Sequence, residues 1–345
     1  MFCVRRHLAQ PRFLLQGRFV QTSTTHSVFK PTFSVDDIKD LPYHDSVNLQ
    51  SRILQPRRTK VIKEKTPIVF LHGLFESILF FKKIAYEVSG ATRHLAYGVD
   101  LRNHGTSPHA LPFTYSIMAY DVFKFITDKN IEQCILIGHG MGAKVAALVS
   151  LLYPSVVEKL VLIDGVPCAT ELNKNFGLSL LAMCEIESRA MEFKSLNGKR
   201  VNYGEVTKLL RELQPYEKAR EQILGNLLRT PKDIRGRSNI GDEMFKMPVM
   251  NFYKYDVLKT TAGWPQLPNV TKFTKPVWAV TAKQSTLDMK DYEEEFKKYF
   301  ETVNFETVDT DYWFEHNKDQ LVDLLIEIIG RSTVPFTHKK GKYRW

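Results

Sequence analysis

The sequence predicts an α/β fold, with a mostly parallel twisted sheet, helices on both faces and a helical lid insertion. Two observations support this prediction. Short apolar runs alternate with helical patterns over residues 67–163, and the alternation resumes over residues 276–330. Between these regions, residues 168–272 carry several helical patterns and no convincing strand. Because strands that alternate with helices are typical of a parallel sheet buried on both faces, the intervening segment is expected to be an insertion.

The first region reads as strands and helices in turn. Each predicted strand is a short apolar run stopped by turn-forming residues, and the helix before the fourth strand has an apolar face. The predicted elements are a strand over 47–54, a strand over 67–71, a helix over 80–89, a strand over 95–100, a helix over 115–129, a strand over 134–137, a helix over 141–153 and a strand over 159–163.

The rest of the chain divides into the insertion and the end of the sheet. Helical patterns are predicted over 178–188, 203–213 and 215–229, followed by a strand over 276–281, a helix over 289–300, a strand over 303–308 and a helix over 318–330. The expected organisation is a transit peptide or disordered arm over 1–35, a first core part over 36–167, the helical lid over 168–272, a second core part over 273–332 and a basic tail over 333–345.

The net charge of +10 is concentrated at the two ends of the chain. Without the basic residues before position 31 and after position 337, the body is close to neutral. A near-neutral body lacks the basic surface that binds nucleic acid, so no nucleic-acid partner is expected. The tail is interpreted as a solvated basic terminus, with contact to a membrane surface as the alternative.

The N-terminal segment has the composition of a mitochondrial transit peptide. It is rich in arginine, serine, threonine and glutamine, and its first acidic residue is Asp36. The alternative is a disordered basic arm. We therefore expect a mitochondrial protein, in the matrix or at the periphery of the inner membrane. No apolar run approaches the roughly 18 residues of a transmembrane helix.

The sequence shows no pattern of a metal or cofactor site. The four cysteines have neither C-x-x-C pairing nor metal-ligand spacing, and they are interpreted as reduced thiols. They are Cys3, Cys134, Cys168 and Cys184. No phosphate-binding glycine loop or coenzyme fingerprint is present. We expect no cofactor and no bound metal.

The fourth predicted strand runs into Gly138-His139-Gly140-Met141-Gly142. This is the layout of a nucleophile elbow, normally G-x-S-x-G, in which the serine hydroxyl stands at the apex of a sharp strand-to-helix turn. Gly140 takes the apex position and has no side chain with which to attack a carbonyl. His139 flanks the apex and does not replace the nucleophile. The elbow, the alternation of strands and helices, and the single helical insertion after the fifth or sixth strand predict an α/β-hydrolase fold.

Two further features of that fold have candidates here. The oxyanion hole uses two backbone N–H groups, expected from Met141 and from Leu74 in the loop His72-Gly73-Leu74-Phe75. Leu74, Met141 and His139 are therefore expected at the ligand pocket. Asp164 ends a strand at the same edge as the elbow, where a carboxylate can orient an imidazole. The alternative is that Asp164 caps a turn.

Several motifs resemble those of the mitochondrial α/β-hydrolase domain-containing proteins, a group that includes the fungal ethanol acetyltransferases. The run Val99-Asp100-Leu101-Arg102-Asn103-His104-Gly105 is distinctive, as are Met118-Ala119-Tyr120-Asp121 and the elbow. The likeness is strong over 65–167 and weak over 275–330. It implies activity on acyl esters or thioesters. The fungal members move an acetyl group from acetyl-CoA to ethanol.

The resemblance also implies a catalytic triad of serine in the elbow, aspartate after the next strand and histidine in a Gly-His-Trp sequence. Asp164 matches the aspartate. Gly140 stands at the serine position, and Tyr312 in Asp311-Tyr312-Trp313 stands at the histidine position. Two of the three catalytic groups are therefore replaced. His316 follows four residues later, and we expect it to be exposed at the start of the last helix rather than catalytic.

The sequence leaves three hypotheses about function. In the first, the chain has lost serine-hydrolase chemistry and keeps a pocket for an acyl ester, an acyl-CoA-like molecule or a protein partner. In the second, it is an active acyltransferase, thioesterase or esterase with a serine-free mechanism, its base supplied by Tyr312 or His316. In the third, it is a structural partner in a mitochondrial complex.

Overall fold

The structure, a computed structural model, describes residues 45–58, 60–190, 202–228, 244–267, 272–314 and 317–330. The segment 1–35, the tail 333–345 and His316 lie outside these residues. Seven strands form one sheet in the order β1-β3-β2-β4-β5-β6-β7. They are β1 (Ser51–Ile53), β2 (Ile68–Leu71), β3 (Ala96–Val99), β4 (Cys134–His139), β5 (Val157–Ile163), β6 (Val277–Ala282) and β7 (Val303–Val308).

The relative directions of the strands match the mostly parallel sheet that the sequence predicts. β1 pairs antiparallel with β3 at one edge, and every other pair of neighbouring strands is parallel. Strand order reverses around β2, so β4 lies beside β2 near the centre of the sheet. The mostly parallel α/β sheet is therefore confirmed. β1 is shorter than the strand predicted over 47–54: its ladder with β3 covers Ser51–Ile53, and single backbone hydrogen bonds continue the pairing at Gln50 and Leu54.

The described residues contain ten α-helices and two short 3-10 helices. The α-helices are α1 (Lys82–Thr92), α2 (Tyr115–Asp128), α3 (Met141–Leu152), α4 (Lys174–Ser188), α5 (Tyr203–Leu213), α6 (Glu217–Gly225), α7 (Val249–Lys254), α8 (Val257–Ala262), α9 (Glu293–Tyr299) and α10 (Lys318–Gly330); the 3-10 helices are Pro154–Val156 and Met289–Tyr292. α7 and α8 were not predicted, because six residues are too few to show a helical period.

Alternating side chains of the central strands build a core on each face of the sheet. In β2, Ile68 and Phe70 face one core, while Val69 and Leu71 face the other. The first core includes side chains of α1 and α10, and the second includes side chains of α2, α3 and the helices between β5 and β6. Burial on both faces explains why these strands are continuously apolar.

A buried ion pair fixes residues 45–47, which precede β1, to the core. The Arg102 Nε donates to Asp121 Oδ2 at 2.6 Å and its Nη2 donates to Oδ1 at 2.9 Å, with both side chains fully buried. The remaining guanidinium donors reach the backbone oxygens of Asp45 and Pro112. Val47 donates its N–H to Asp121 Oδ1 at 2.9 Å. The pair therefore ties residues 45–47 to α2.

The parallel strands bring their carboxyl ends to one edge of the sheet. The loops after β2, β4, β5 and β7 begin there, and they carry His72, Gly140, Asp164 and Tyr312 respectively. This edge is where ligands bind in open α/β sheets. In the part of the chain that the structure describes, no helix is both long and apolar enough to cross a membrane.

Candidate active site

The turn at Gly140 keeps the backbone geometry of an elbow. Gly140 has φ 53° and ψ −113° and lies between the end of β4 and the start of α3. Its N–H donates to the carbonyl of Ile163 at 2.8 Å, which holds the turn against β5. A residue with a β-carbon would be strained in this left-handed conformation, and glycine adopts it freely.

The glycines on either side permit close backbone packing. A β-carbon at Gly138 would lie 2.2 Å from the Gly142 carbonyl oxygen, and one at Gly142 would lie 2.3 Å from the Leu71 carbonyl oxygen. Both distances are far below van der Waals contact. The first turn of α3 therefore lies directly against the ends of β2 and β4, and this packing defines the elbow.

Tyr312 fills the space in which a nucleophile side chain would stand. A β-carbon at Gly140 would lie 2.8 Å from the Tyr312 hydroxyl oxygen. Burial, together with the nearby carboxylates of Glu76 and Asp164, raises the pKa of the Tyr312 phenol well above its usual value. The hydroxyl therefore stays protonated near neutral pH, and it can donate a hydrogen bond but does not act as a base.

Two backbone N–H groups border the same space. Leu74 and Met141 both line the cavity at Gly140. Among the described residues, neither of their amides has an acceptor. This is the pair of donors that an oxyanion hole requires.

Two neutral histidines hold the loop that carries Leu74. The Nε2 of His72 accepts from the Leu101 N–H at 3.0 Å, and the Nε2 of His104 accepts from the Phe75 N–H at 3.3 Å. Burial lowers the pKa of His72 and lowers that of His104 to about 3. Because both rings stay uncharged acceptors, they join the loop after β2 to the loop after β3.

Asp164 directly follows β5, with one carboxylate oxygen satisfied and one left without a partner. Its Oδ1 accepts from the Ala282 N–H at 2.9 Å, while its Oδ2 is buried and has no partner among the described residues. Burial raises the pKa of Asp164 to about 7, although His139 and the Ala282 N–H act in the opposite direction. At the position where the triad comparison expects a histidine, the described side chain is the Tyr312 phenol.

His139 lies behind Tyr312, which differs from the pocket position expected for it. Its Nδ1 is 3.2 Å from Glu76 Oε2, and its ring stacks on Phe80 with the centroids 4.5 Å apart. The Tyr312 ring covers it at a centroid distance of 4.5 Å. His139 is fully buried and does not line the cavity, because β4 directs its side chain away from the face that carries Leu74 and Met141.

Glu76 completes this arrangement. Its Oε2 also accepts from the Gly73 N–H at 2.7 Å, while its Oε1 and the His139 Nε2 are buried without a partner among the described residues. The Glu76–His139 pair was not predicted. The signal for it was that Glu76 lies in the loop after β2 and His139 is the last residue of the adjacent parallel strand β4, so both lie at the same sheet edge.

Lys144 lies one helical turn after Gly140, inside the protein. Its Nζ donates to the carbonyl oxygens of Thr261, Ala262 and Gly263 at 3.1–3.3 Å, which are the last carbonyls of α8 and the residue after it. Burial lowers the pKa of Lys144 to about 7. Cations are favoured at a helix C-terminus, so Lys144 joins α3 to α8. Its isolated position in an apolar helix was the sequence signal for a buried partner.

A cavity of about 310 Å³ opens beside the elbow. Its walls come from the sheet edge on one side and from α4, α6 and the end of α8 on the other. The lining includes the three positions identified from the triad comparison and a set of polar and aromatic side chains. Among the lining residues are Tyr115, Gly140, Lys144, Asp164, Glu171, Phe176, Tyr216, Asp311, Tyr312 and Trp313.

Within the described ranges, no group of three or more histidine, cysteine, aspartate or glutamate side chains is arranged to hold a metal ion. The described cysteines are free thiols, and burial raises the pKa of Cys134 to about 12 and that of Cys168 to about 11. These thiols are therefore poor nucleophiles near neutral pH. The cavity chemistry rests on the two amides, the Tyr312 hydroxyl and the Asp164 carboxyl.

Comparison with known proteins agrees with this geometry. The α/β hydrolase fold family matches residues 66–183. The chain is 28% identical over 267 residues to the zebrafish (Danio rerio) sn-1-specific diacylglycerol lipase ABHD11, covering 77% of this chain and 78% of that protein. It is also 28% identical over 297 residues to ethanol acetyltransferase 1 of Eremothecium cymbalariae, covering 82% and 81% of the two chains.

The fold has a solved counterpart. A marine microorganism esterase superposes with a TM-score of 0.65 at 22% identity, covering 82% of this chain and 99% of that one. At this identity the likeness shows the fold alone. Together with the strand order and the elbow, these matches show that the chain has the α/β-hydrolase fold, with sequence similarity to abhydrolase domain-containing proteins and to fungal ethanol acetyltransferases.

Proposed function

We propose that this protein binds an acyl ester or acyl thioester in the cavity beside Gly140 and does not perform serine-hydrolase chemistry. The observation that carries the proposal is the position of the Tyr312 hydroxyl, 2.8 Å from where a β-carbon on Gly140 would stand. A serine side chain and Tyr312 cannot share that space without movement. The site has therefore exchanged a nucleophile for a fixed hydrogen-bond donor.

The remaining donors suit an acyl group. Leu74 and Met141 line the cavity with amides that have no acceptor among the described residues, which supports their binding a carbonyl oxygen, and the protonated Tyr312 phenol would add a third donor. None of these groups can form a covalent acyl intermediate. Loss of the nucleophile of a triad costs on the order of a million-fold in turnover, so a ligand held by these donors would be retained rather than cleaved.

The relatives support an acyl ligand by analogy. The zebrafish relative is named as a diacylglycerol lipase and the fungal relative as an ethanol acetyltransferase, and both names describe acyl transfer or hydrolysis. The N-terminal composition supports a mitochondrial location for this activity, as proposed from the sequence.

A second candidate function is direct acyl transfer without an acyl-enzyme, and Asp164 favours it. Burial raises the pKa of Asp164 to about 7, and its Oδ2 has no protein partner in the described chain. The ionised carboxylate would take the proton from an alcohol as that oxygen attacks the thioester carbonyl. The carbonyl oxygen would be held by the two amides, and the C–S bond would then break to release a thiolate that takes the proton from the Asp164 carboxyl.

Measurement of binding and turnover in parallel distinguishes the two candidates. We would titrate the full chain with acetyl-CoA and with ethyl esters of increasing acyl length, and assay each for turnover with ethanol present and absent. Binding with turnover at the level of the blank is the expected result. Turnover above the blank that falls in Asp164→Asn would establish direct transfer. Neither binding nor turnover would overturn both candidates.

A fluorophosphonate probe gives an independent check. Such probes label nucleophilic serines, so we expect no adduct on the natural chain. Ser107 is not a candidate for labelling, since its hydroxyl is buried, accepts from the Gln50 N–H and donates to the Asp100 carbonyl. An adduct anywhere near the cavity would contradict the loss of serine chemistry.

A further inference from the structure

One wall of the cavity is aromatic. Phe176, Tyr312 and Trp313 follow one another edge to face, with centroids 6.1 Å apart between Phe176 and Tyr312 and 5.5 Å apart between Tyr312 and Trp313. Tyr115 and Tyr216 also line the cavity. Aromatic faces carry negative electrostatic potential and attract cations, most strongly where water is excluded.

A carboxyl group without a protein partner lies beside this wall. Asp164 is 5% exposed and lines the same cavity, and its Oδ2 accepts no hydrogen bond from the described residues. It lies near enough to Tyr312 for its charge to act on that phenol. A buried carboxylate without a partner is costly, and a ligand that supplies a positive charge would remove that cost.

The other charged side chains that line the cavity also favour a positively charged ligand. Glu171 and Asp311 also line it, so the described lining has three carboxylates against the single ammonium group of Lys144. The Lys144 Nζ is directed at the carbonyl oxygens that end α8, and it also lies over the Tyr115 ring at 5.8 Å. Its donors are therefore engaged by the protein, and the described lining carries more acidic than basic side chains.

We propose that the ligand is an acyl ester that carries an ammonium group, with the cation held between the Asp164 carboxylate and the rings of Phe176, Tyr312 and Trp313. This inference rests on the proposed function, because the acyl carbonyl is taken to occupy the Leu74 and Met141 amides. It narrows the ligand class from acyl esters in general to esters of amino alcohols or quaternary ammonium alcohols.

Acetylcholine and its neutral carbon isostere, in which a tert-butyl group replaces the trimethylammonium group, test the inference. The two esters have nearly the same shape and differ in charge. We would measure the affinity of the full chain for both by isothermal titration calorimetry. The expected result is at least about ten-fold tighter binding of acetylcholine.

Matched variants identify the source of that preference. Asp164→Asn keeps the shape of the side chain and an Oδ1 for the Ala282 N–H, and we expect it to abolish the preference for the cation. Asp323→Asn removes an exposed carboxylate of α10 outside the cavity, and it should leave the preference unchanged. Loss of the preference in both variants would attribute it to overall charge and overturn the inference.

The two proposals fail in different ways. Equal affinity for the two esters in the natural chain would overturn the ammonium inference while leaving the acyl-ester site in place. Binding of neither ester would overturn the ammonium inference, and the parallel titration with acetyl-CoA and ethyl esters would then decide whether the acyl site itself stands.

Discussion

The hydroxyl group of Tyr312 occupies the space that a side chain on Gly140 would need, with only 2.8 Å between its oxygen and a β-carbon at that position. The residues that can stand at positions 140 and 312 are therefore sterically linked. Because Gly140 has no side chain, the Tyr312 phenol fits beside it, and the phenol in turn occupies the space that a serine side chain at 140 would need. Under the proposed function, a serine nucleophile at position 140 would need a change at position 312 as well.

Gly140→Ser alone is expected to give no fluorophosphonate adduct and to lower the free energy of unfolding by roughly 1–3 kcal/mol. The added side chain meets Tyr312 and forces a β-carbon into φ 53°. Gly140→Ser combined with Tyr312→His removes the phenol and offers an imidazole to the unpartnered Asp164 Oδ2, so this double variant should be labelled. Labelling and thermal unfolding of each variant check both statements.

Gly177→Ser is the matched control for that pair. It makes the same substitution in α4, where a β-carbon at Gly177 would have no neighbour within 4 Å. We expect no loss of stability and no adduct from this variant. Equal labelling of the single and double Gly140 variants would show that Tyr312 does not block the nucleophile position.

Asp164 should make the protein less stable as the pH rises. Its pKa of about 7 in the folded chain lies above the ordinary value of 3.8, so the folded state holds the proton more tightly than the unfolded state does. The stability is full below about pH 4, falls as the pH rises towards 7 and stays reduced above that. The ionisation penalty is up to about 4 kcal/mol.

Urea unfolding at about pH 5 and about pH 8 measures this effect. Between the two conditions, the natural chain should lose roughly 2–3 kcal/mol more than Asp164→Asn. The groups that face the carboxyl are His139, the Ala282 N–H and the Tyr312 hydroxyl, and all are present in both proteins. The same pH dependence in the natural chain and the variant would mean that Asp164 is ionised throughout.

Lys144→Met should loosen the attachment of α8. The substitution keeps most of the side-chain volume and removes the donor that reaches the carbonyls of Thr261, Ala262 and Gly263. Leaving buried acceptors unpaired costs about 1–3 kcal/mol. We expect this loss in chemical unfolding, together with faster proteolysis within residues 257–263. Lys254→Met, an exposed change on α7, should alter neither measurement appreciably.

The Arg102–Asp121 pair offers a prediction with its control on the same helix. Asp121→Asn removes one charge of a fully buried, two-point ion pair in α2, and we expect it to lower the free energy of unfolding by about 3–5 kcal/mol. Asp128→Asn breaks the exposed Lys124–Asp128 pair of the same helix and should cost below about 1 kcal/mol. Comparable losses from the two variants would mean that the buried pair is not desolvated.

The sheet was predictable because its signal is local. Continuous apolar runs such as Ile68–Leu71 and Cys134–His139 are buried on both faces, and each is bounded by turn residues that the sequence shows directly. α10 lies where the apolar period predicts it, over Lys318–Gly330. α7 and α8 have too few residues for a period, and tertiary contacts such as that of Lys144 hold them instead.

The sequence was sufficient to predict which residues lie at the site, but not which atoms of those residues are in contact. The order of strands brings Gly140, Asp164 and Tyr312 to one edge, and motif spacing is sufficient to expect that. The steric link between Gly140 and Tyr312 depends on how far the Tyr312 side chain reaches towards Gly140. The spacing of residues along the sequence does not determine that distance. The burial of His139 behind Tyr312 likewise follows from the direction in which β4 points that side chain.

The packing around Gly138 and Gly142 limits how new chemistry can be introduced into this scaffold. Backbone oxygens lie 2.2 Å and 2.3 Å from where their β-carbons would stand, so neither position tolerates any larger residue without moving the main chain. A mutagenesis library that varies the whole turn would consist mostly of unfolded proteins. Randomising only Gly140 and Tyr312 together varies the residues at the nucleophile and base positions while a larger fraction of the library still folds.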